Sequence, residues 1–164
     1  VIRHAISKYI ATAMVVSILP ATASAQPPCR TAIEAPDFAF AAGCLIKHDG
    51  RMLVVRQLSS GKLGVPGGVS KSGESSQCVA HRETWEETGV DVVVHGMLKR
   101  FSNGLAVYQC ELTDGGAAAG GELPVPATGR NEIAQVLWVD PGSIEASQWR
   151  FPRQYPVILQ LFRR

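Results

Sequence analysis

Residues 68 to 90 read G-V-S-K-S-G-E-S-S-Q-C-V-A-H-R-E-T-W-E-E-T-G-V. The stretch from Glu74 to Thr88 has helical composition, with acid near its start to suit the helix dipole and Gly89 where a terminating glycine belongs. On such a helix Glu83, Glu86 and Glu87 fall at i, i+3 and i+4, so three carboxylates share one face. Like charges at this spacing oppose one another by roughly 0.2–0.5 kcal/mol per pair. A chain that concentrates acid this way has use for a cation. Hard divalent ions, Mg²⁺ or Mn²⁺, are bound by carboxylate oxygens and leave positions open for phosphate oxygens.

The same run resembles the signature of the Nudix hydrolases. That signature is Gly, five residues, Glu, seven residues, then Arg-Glu-apolar-any-Glu-Glu-any-Gly-apolar. Here the positions are Gly68, Glu74, Arg82, Glu83, Thr84, Glu86, Glu87, Gly89 and Val90. Thr84 is the one departure, standing where the pattern has an apolar residue, although its methyl can still pack. A solvated amphipathic helix would explain the acids but not the glycines and the glutamate placed upstream of them.

The resemblance implies an α/β fold, the Nudix α/β/α sandwich with a mixed β-sheet, from about Phe38 to the end of the chain. It implies hydrolysis of a phosphoanhydride bond in a diphosphate linked to some further group, with Mg²⁺ or Mn²⁺ as cofactor. Glu86 and Glu87 would be the main metal ligands, and Glu83 a third ligand or the base that takes the water proton. Arg82 would orient a carboxylate, Glu74 would support that network, and the Gly67 carbonyl would reach the metal while Gly68 lets the backbone approach closely. Glu132, after a flexible loop and before a strand, is a candidate for additional metal or base duty. Arg56 and Lys62 flank the loop entering the signature and are weaker candidates for holding phosphate, since single basic residues are mostly solvated surface. Nudix-like domains that only bind ligand form the competing class, but their glutamates are usually eroded and here all of them stand.

The first 25 residues form a separate unit. Arg3, His4 and Lys8 precede a short apolar run from Ile10 to Leu19, Pro20 breaks it, and Ala23-Ser24-Ala25 is a small-residue cleavage sequence. This is the layout of a signal peptide, and the run is too short for a confident membrane span. The expected organisation is therefore a signal peptide over 1–25, an N-terminal extension over 26–37 and the hydrolase domain over 38–164. The expected location is outside the cytoplasm, periplasmic or secreted, with no stable membrane association after cleavage.

Without Arg3 and Lys8 the formal charge falls from +2 to zero, which argues against a large non-specific nucleic-acid surface. The expected partner is a small-molecule diphosphate. Export favours nucleotide-sugars, dinucleotides, or isoprenoid and lipid diphosphates of the cell envelope. Tyr108, 18 residues beyond Val90, stands near an offset suggestive of relatives that act on dinucleoside polyphosphates, though a tyrosine in an apolar strand more naturally packs.

Cys29, Cys44, Cys78 and Cys110 permit two disulfides in three connectivities, and their spacing resembles no zinc site. Cys44 and Cys110 lie in strand-like runs, where buried thiols are the plainer expectation. Strands are expected over Phe38–Lys47, Arg51–Gln57, Val90–Phe101, Leu105–Leu112 and Val136–Val139, and a final helix over Tyr155–Arg164. Asp49-Gly50 predicts a hairpin, Ser59 to Gly64 a loop, and Asp114 to Gly129 a flexible loop, either a lid or a surface insertion.

Overall fold

The structure is a computed structural model that describes residues 25–113 and 121–164. The expected signal peptide lies outside the described residues except for Ala25, and so does the Gly/Ala-rich start of the long loop. Eight strands run in chain order as β1 (Ala41–His48), β2 (Arg51–Gln57), β3 (Leu63–Gly64), β4 (Gly67–Val69), β5 (Val92–Arg100), β6 (Leu105–Leu112), β7 (Glu122–Leu123) and β8 (Ile133–Val139). Helix α1 covers Ser76–Thr88 and α2 covers Tyr155–Phe162. Pro141 opens a short 3-10 turn, as its fixed φ favours. Among the described residues, no helix is long and apolar enough to cross a membrane.

The sheet order is β5-β6-β1-β2-β8-β7, with β3 added to β2 and β4 to β1. β1 runs parallel to β6 from Ala41↔Leu105 to Ile46↔Cys110, while its other pairings are antiparallel, so the sheet is mixed. The first part of β1 faces β4, and only its end, at Lys47 and His48, pairs with β2. β4 therefore opens a wedge between β1 and β2. Glycines permit that approach: a Cβ on Gly43 would meet the Pro66 carbonyl oxygen at 2.6 Å.

Alternation along the strands builds two cores. Ala42, Cys44 and Ile46 of β1 join Leu53, Val55, Ala106 and Tyr108 under Val79 and Ala80 of α1. Leu45, Met52, Val54 and Val107 face the opposite side and pack against Tyr155, Ile158 and Leu161 of α2. Helices thus cover both faces of one sheet, the expected α/β/α sandwich. Tyr108 is a core residue, 2% exposed. Its hydroxyl reaches Asp37 at 3.4 Å.

Several local expectations change. Helix α1 starts at Ser76, not Glu74, because the Ser75 hydroxyl caps it by accepting from the Cys78 N–H at 3.3 Å. Glu74 stays outside the first turn, held by Arg82 instead of by the helix dipole. β1 begins three residues later than Phe38, leaving Phe38 and Phe40 exposed. The loop before the signature contains β3, and the segment read as flexible contains β7. The terminal helix stops at Phe162.

Both disulfides form, Cys29–Cys78 and Cys44–Cys110, so the expectation of buried free thiols at Cys44 and Cys110 is overturned. Parallel register explains the second pair: Ile46 stands opposite Cys110, which places Cys44 on the same face one pleat away. The first pair ties the N-terminal extension to α1. Gln77 reinforces it by donating to the Ile33 carbonyl at 2.9 Å and accepting from the Ala35 N–H at 3.1 Å. The extension also pairs with the edge strand β5 through Thr31 and Val94.

Candidate functional site

Helix α1 presents its acidic face to β4. Arg82 is the organiser of that face and is only 6% exposed. Its Nε and Nη2 donate to the two oxygens of Glu74, both at 2.8 Å, a planar fork meeting a carboxylate. Nη1 donates to Glu83 at 2.6 Å and to Glu86 at 3.0 Å, and Nη2 also donates to the Val69 carbonyl at 3.0 Å. One side chain thereby locks the residue before the helix, two helix carboxylates and strand β4. The arginine's hydrogen bonds hold Glu74 below the usual carboxylate range, and the same pairing pushes the Arg82 guanidinium up.

Glu83 and Glu87 lie deeper. Burial raises the Glu83 carboxyl even though Arg82 opposes the shift, and the charges of Glu86 and Glu132 add to it. Glu87 is pushed up to about 8, chiefly by burial, with Glu83 and Glu132 contributing. The Gly67 N–H opposes this by donating to Glu87 at 2.8 Å. Glu86 is more open and also faces Lys71 at 3.5 Å.

Glu132 arrives from the segment that enters β8. Thr128 donates its hydroxyl to the Glu86 carbonyl at 2.7 Å, docking the 126–132 segment on the end of α1. Gly129 sits so close that a Cβ there would meet the Glu86 carbonyl oxygen at 2.9 Å. The Glu132 carbonyl then accepts from the Leu58 N–H at 2.8 Å, fixing it against the loop after β2.

Gly67, Gly68, Arg82, Glu83, Glu86, Glu87 and Glu132 all line one pocket of about 630 Å³. Gly68 fits because it lacks a side chain, since a Cβ there would overlap the Glu83 carboxylate. Glu74 stands behind Arg82 and does not line the pocket. Arg56 and Lys62 are not brought to it either. Arg56 donates to Gln135 at 2.7 Å and to the Gly61 carbonyl at 3.0 Å, and Lys62 donates to the Ser147 carbonyl at 2.8 Å. The basic residues at the pocket besides Arg82 are Lys71 and Arg150, to which the sequence reading assigned no role. Lys71 stands within the quoted run. Arg150 could have been noticed only as a cation between two aromatics, Trp149 and Phe151.

The donors are hard oxygens, the type that divalent Mg²⁺ or Mn²⁺ selects. Glu83 Oε2 and Glu87 Oε1 accept from no protein donor among the described residues. No three carboxylates there already stand at ligand spacing, and Arg82 engages one oxygen each of Glu83 and Glu86. A buried carboxyl raised to about 8 is a group whose charged form calls for a neighbouring cation. The residues fit such an ion chemically.

The sequence profile of the NUDIX domain matches residues 37–161. The chain belongs to the Nudix family. A curated MutT-like protein of Streptomyces ambofaciens is 35% identical over 79 residues, which is 45% of this chain. The match spans 51% of that relative, about half its length. Among solved structures, a Nudix hydrolase from Nitrosomonas europaea superposes with a TM-score of 0.61 at 17% identity, over 79% of this chain and 73% of the other. A UDP-X diphosphatase gives 0.58 at 21% identity over 80% and 65%. An ADP-ribose pyrophosphatase from Streptococcus suis gives 0.55 at 18% identity over 79% and 94%. These likenesses establish the Nudix fold.

Proposed function

We propose that this Nudix protein is a pyrophosphohydrolase that cleaves a phosphoanhydride bond in a nucleoside diphosphate linked to a further group, with Mg²⁺ or Mn²⁺. The observation that carries the proposal is the gathering of Glu83, Glu86, Glu87 and Glu132 around Gly67 and Gly68 in one pocket. A polyanionic phosphate is repelled by such a wall unless cations intervene. Relatives of this fold include proteins described as a UDP-X diphosphatase and an ADP-ribose pyrophosphatase, which supports this substrate class.

Glu86 and Glu87 would hold the ion, and Glu83, Glu132 and Gly67, whose carbonyl would be a further ligand, line the same pocket. When bound, the ion neutralises phosphate oxygens and lowers the pKa of a coordinated water. Arg82 keeps the carboxylates from collapsing toward solvent and so preserves their aim. Glu83, half-buried and with one oxygen unengaged, is placed either to complete the ion's shell or to take a proton from the attacking water. Gly68 keeps the backbone out of the way of that carboxylate.

Phosphate release from a panel of diphosphates, with Mg²⁺ and with Mn²⁺, tests the reading. Turnover that appears with the ion and disappears with EDTA is the expected result. Full turnover after exhaustive EDTA treatment would refute the metal mechanism.

We also propose that the protein works outside the cytoplasm. The basic start, apolar run and Ala23-Ser24-Ala25 support this, and so do two disulfides that use all four cysteines. N-terminal sequencing of the protein fractionated from its host should find Gln26 first, in an extracytoplasmic fraction. An uncut cytoplasmic chain would overturn it.

A further inference from the structure

The two disulfides have opposite surroundings. Cys44 and Cys110 are 0% and 5% exposed, within the core that α1 covers. Cys29 is exposed and Cys78 half-buried. A thiol can reach the Cys29–Cys78 bond in the folded protein, whereas reaching Cys44–Cys110 requires the core to open.

Little besides that bond holds the chain around Cys29. From Gln26 to Pro36 no residue is buried, and Ile33 is 66% exposed. The remaining attachments are polar and peripheral. Val94 of β5 donates its N–H to the Arg30 carbonyl and accepts from the Ala32 N–H, both at 2.9 Å. Gln77 of α1 holds Ile33 and Ala35 through its amide, and Arg30 pairs with Asp91 at 3.3 Å. Water competes for such bonds, and a terminal segment without buried apolar contacts frays readily. The next anchor is firmer. The Asp37 carbonyl accepts from the Ser76 N–H at 2.8 Å and from the Ser76 hydroxyl at 2.9 Å, while its carboxylate meets Arg100 and Tyr108. Asp37 is therefore the hinge at which a released segment stays attached.

The two sulfurs also differ chemically. Cys78 is the third residue of α1, after Ser76 and Gln77. The partial positive charge at a helix N-terminus favours a negative sulfur there, which makes Cys78 the better leaving group and exposed Cys29 the sulfur to attack.

We propose that Cys29–Cys78 is a thiol–disulfide exchange site for a dithiol, and that its opening releases residues 26–35 from α1 and β5. A thiolate of the dithiol attacks the Cys29 Sγ, the S–S bond breaks, and Cys78 leaves as a thiolate that takes up a proton. The second thiol of the reductant gives up its proton and closes on the sulfur joined to Cys29, so that Cys29 leaves and is protonated in turn. Two electrons pass to the protein, and the dithiol departs as its own disulfide. Cys44–Cys110 keeps the core closed throughout. Opening uncovers the Val94 N–H and carbonyl on the edge strand and takes Ile33 and Ala35 from Gln77, itself only 3% exposed. Reoxidation docks the segment again.

The experiment treats the full folded chain with dithiothreitol, alkylates it with iodoacetamide and locates the labels by mass spectrometry. Cys29 and Cys78 should be labelled while Cys44 and Cys110 stay linked. Trypsin should then cut after Arg30 in the reduced protein and spare that bond in the oxidised one. Amide exchange should show protection lost at Val94 and retained at Ser76. Cys29→Ser, a change at an exposed position, should behave as the reduced protein with or without dithiothreitol. Reoxidation of the wild type, without alkylation, should restore its resistance to trypsin. Labelling of all four cysteines together, no labelling until denaturant is added, or an Arg30 bond and Val94 amide that stay protected after reduction would each overturn the proposal.

Discussion

Gly67 donates its backbone N–H to Glu87 at 2.8 Å, so strand β4 and helix α1 meet at the most buried carboxylate of the site. Substituting glutamine at Glu87 keeps the shape and an acceptor for Gly67 but removes the charge. Glu86→Gln does the same at the more open position. Each variant is expected to lower kcat at least about 10²-fold with the fold retained, the lower end of general-base and electrostatic contributions. Steady-state kinetics at saturating Mg²⁺, with circular dichroism as the control for folding, checks this. Wild-type turnover in both variants would remove these residues from the site.

Arg82 makes five hydrogen bonds, to Glu74, Glu83, Glu86 and Val69. Lysine keeps the charge but cannot fork. Arg82→Lys should therefore free Glu83 and Glu86 from their common anchor and lower kcat about 10²-fold, the scale of a misplacement near 1 Å. The same variant should lose thermal stability, because a half-satisfied network of buried charges remains. A variant with wild-type kinetics would show that the carboxylates aim themselves.

What could be read from the chain and what could not follows physical range. The placement of Glu83, Glu86 and Glu87 on one face needs only the helical period. Leu105–Leu112 is a run rich in apolar residues that follows Ser102-Asn103-Gly104, and the strand found there has those bounds. β3 and β4 have two and three residues, too few for any period to show, and they exist because β1 and β2 diverge around them. The parallel pairing of β1 with β6 joins segments more than 60 residues apart, and the Cys44–Cys110 link depends on that register. Arg150 is equally remote from the signature, so a lone arginine between aromatics carried no local mark of its position.

Thr84 occupies the apolar position of the signature and is fully buried, with its hydroxyl unpartnered among the described residues. Its carbonyl accepts from Thr88 at 2.6 Å, a bond that does not involve the Thr84 side chain. Thr84→Val preserves the shape, removes the unsatisfied group and changes helix propensity little. A gain of about 1 kcal/mol is expected, with a Tm rise of about 3 °C in calorimetry. A loss of stability would mean that the hydroxyl has a partner, such as ordered water.

His81 lies on the face of α1 away from the acids, 1% exposed, with its Nε2 at 3.0 Å from Asp91. Asp91 also pairs with Arg30 at 3.3 Å, which links the N-terminal extension to the helix. Burial lowers the His81 pKa below its usual 6.5, and the Asp91 hydrogen bond and charge only partly offset it. The folded state therefore prefers the neutral ring, with Nε2 carrying the proton toward Asp91. Above 6.5 neither the folded nor the unfolded ring is charged, so His81 contributes no pH dependence. Below 6.5 the unfolded chain takes up a proton that the fold resists, and stability declines until the pH reaches the depressed folded value. The slope from this one group is at most about 1.4 kcal/mol per pH unit. Glu87, raised to about 8 in the fold, works in the opposite direction over the same range in both proteins, so the His81 contribution is read as a difference: urea denaturation at about pH 7.5, 6.5 and 5.5 should show the wild type losing stability relative to His81→Gln as the pH falls. Equal slopes in the two proteins would mean that the buried ring accepts its proton in the fold as readily as in water.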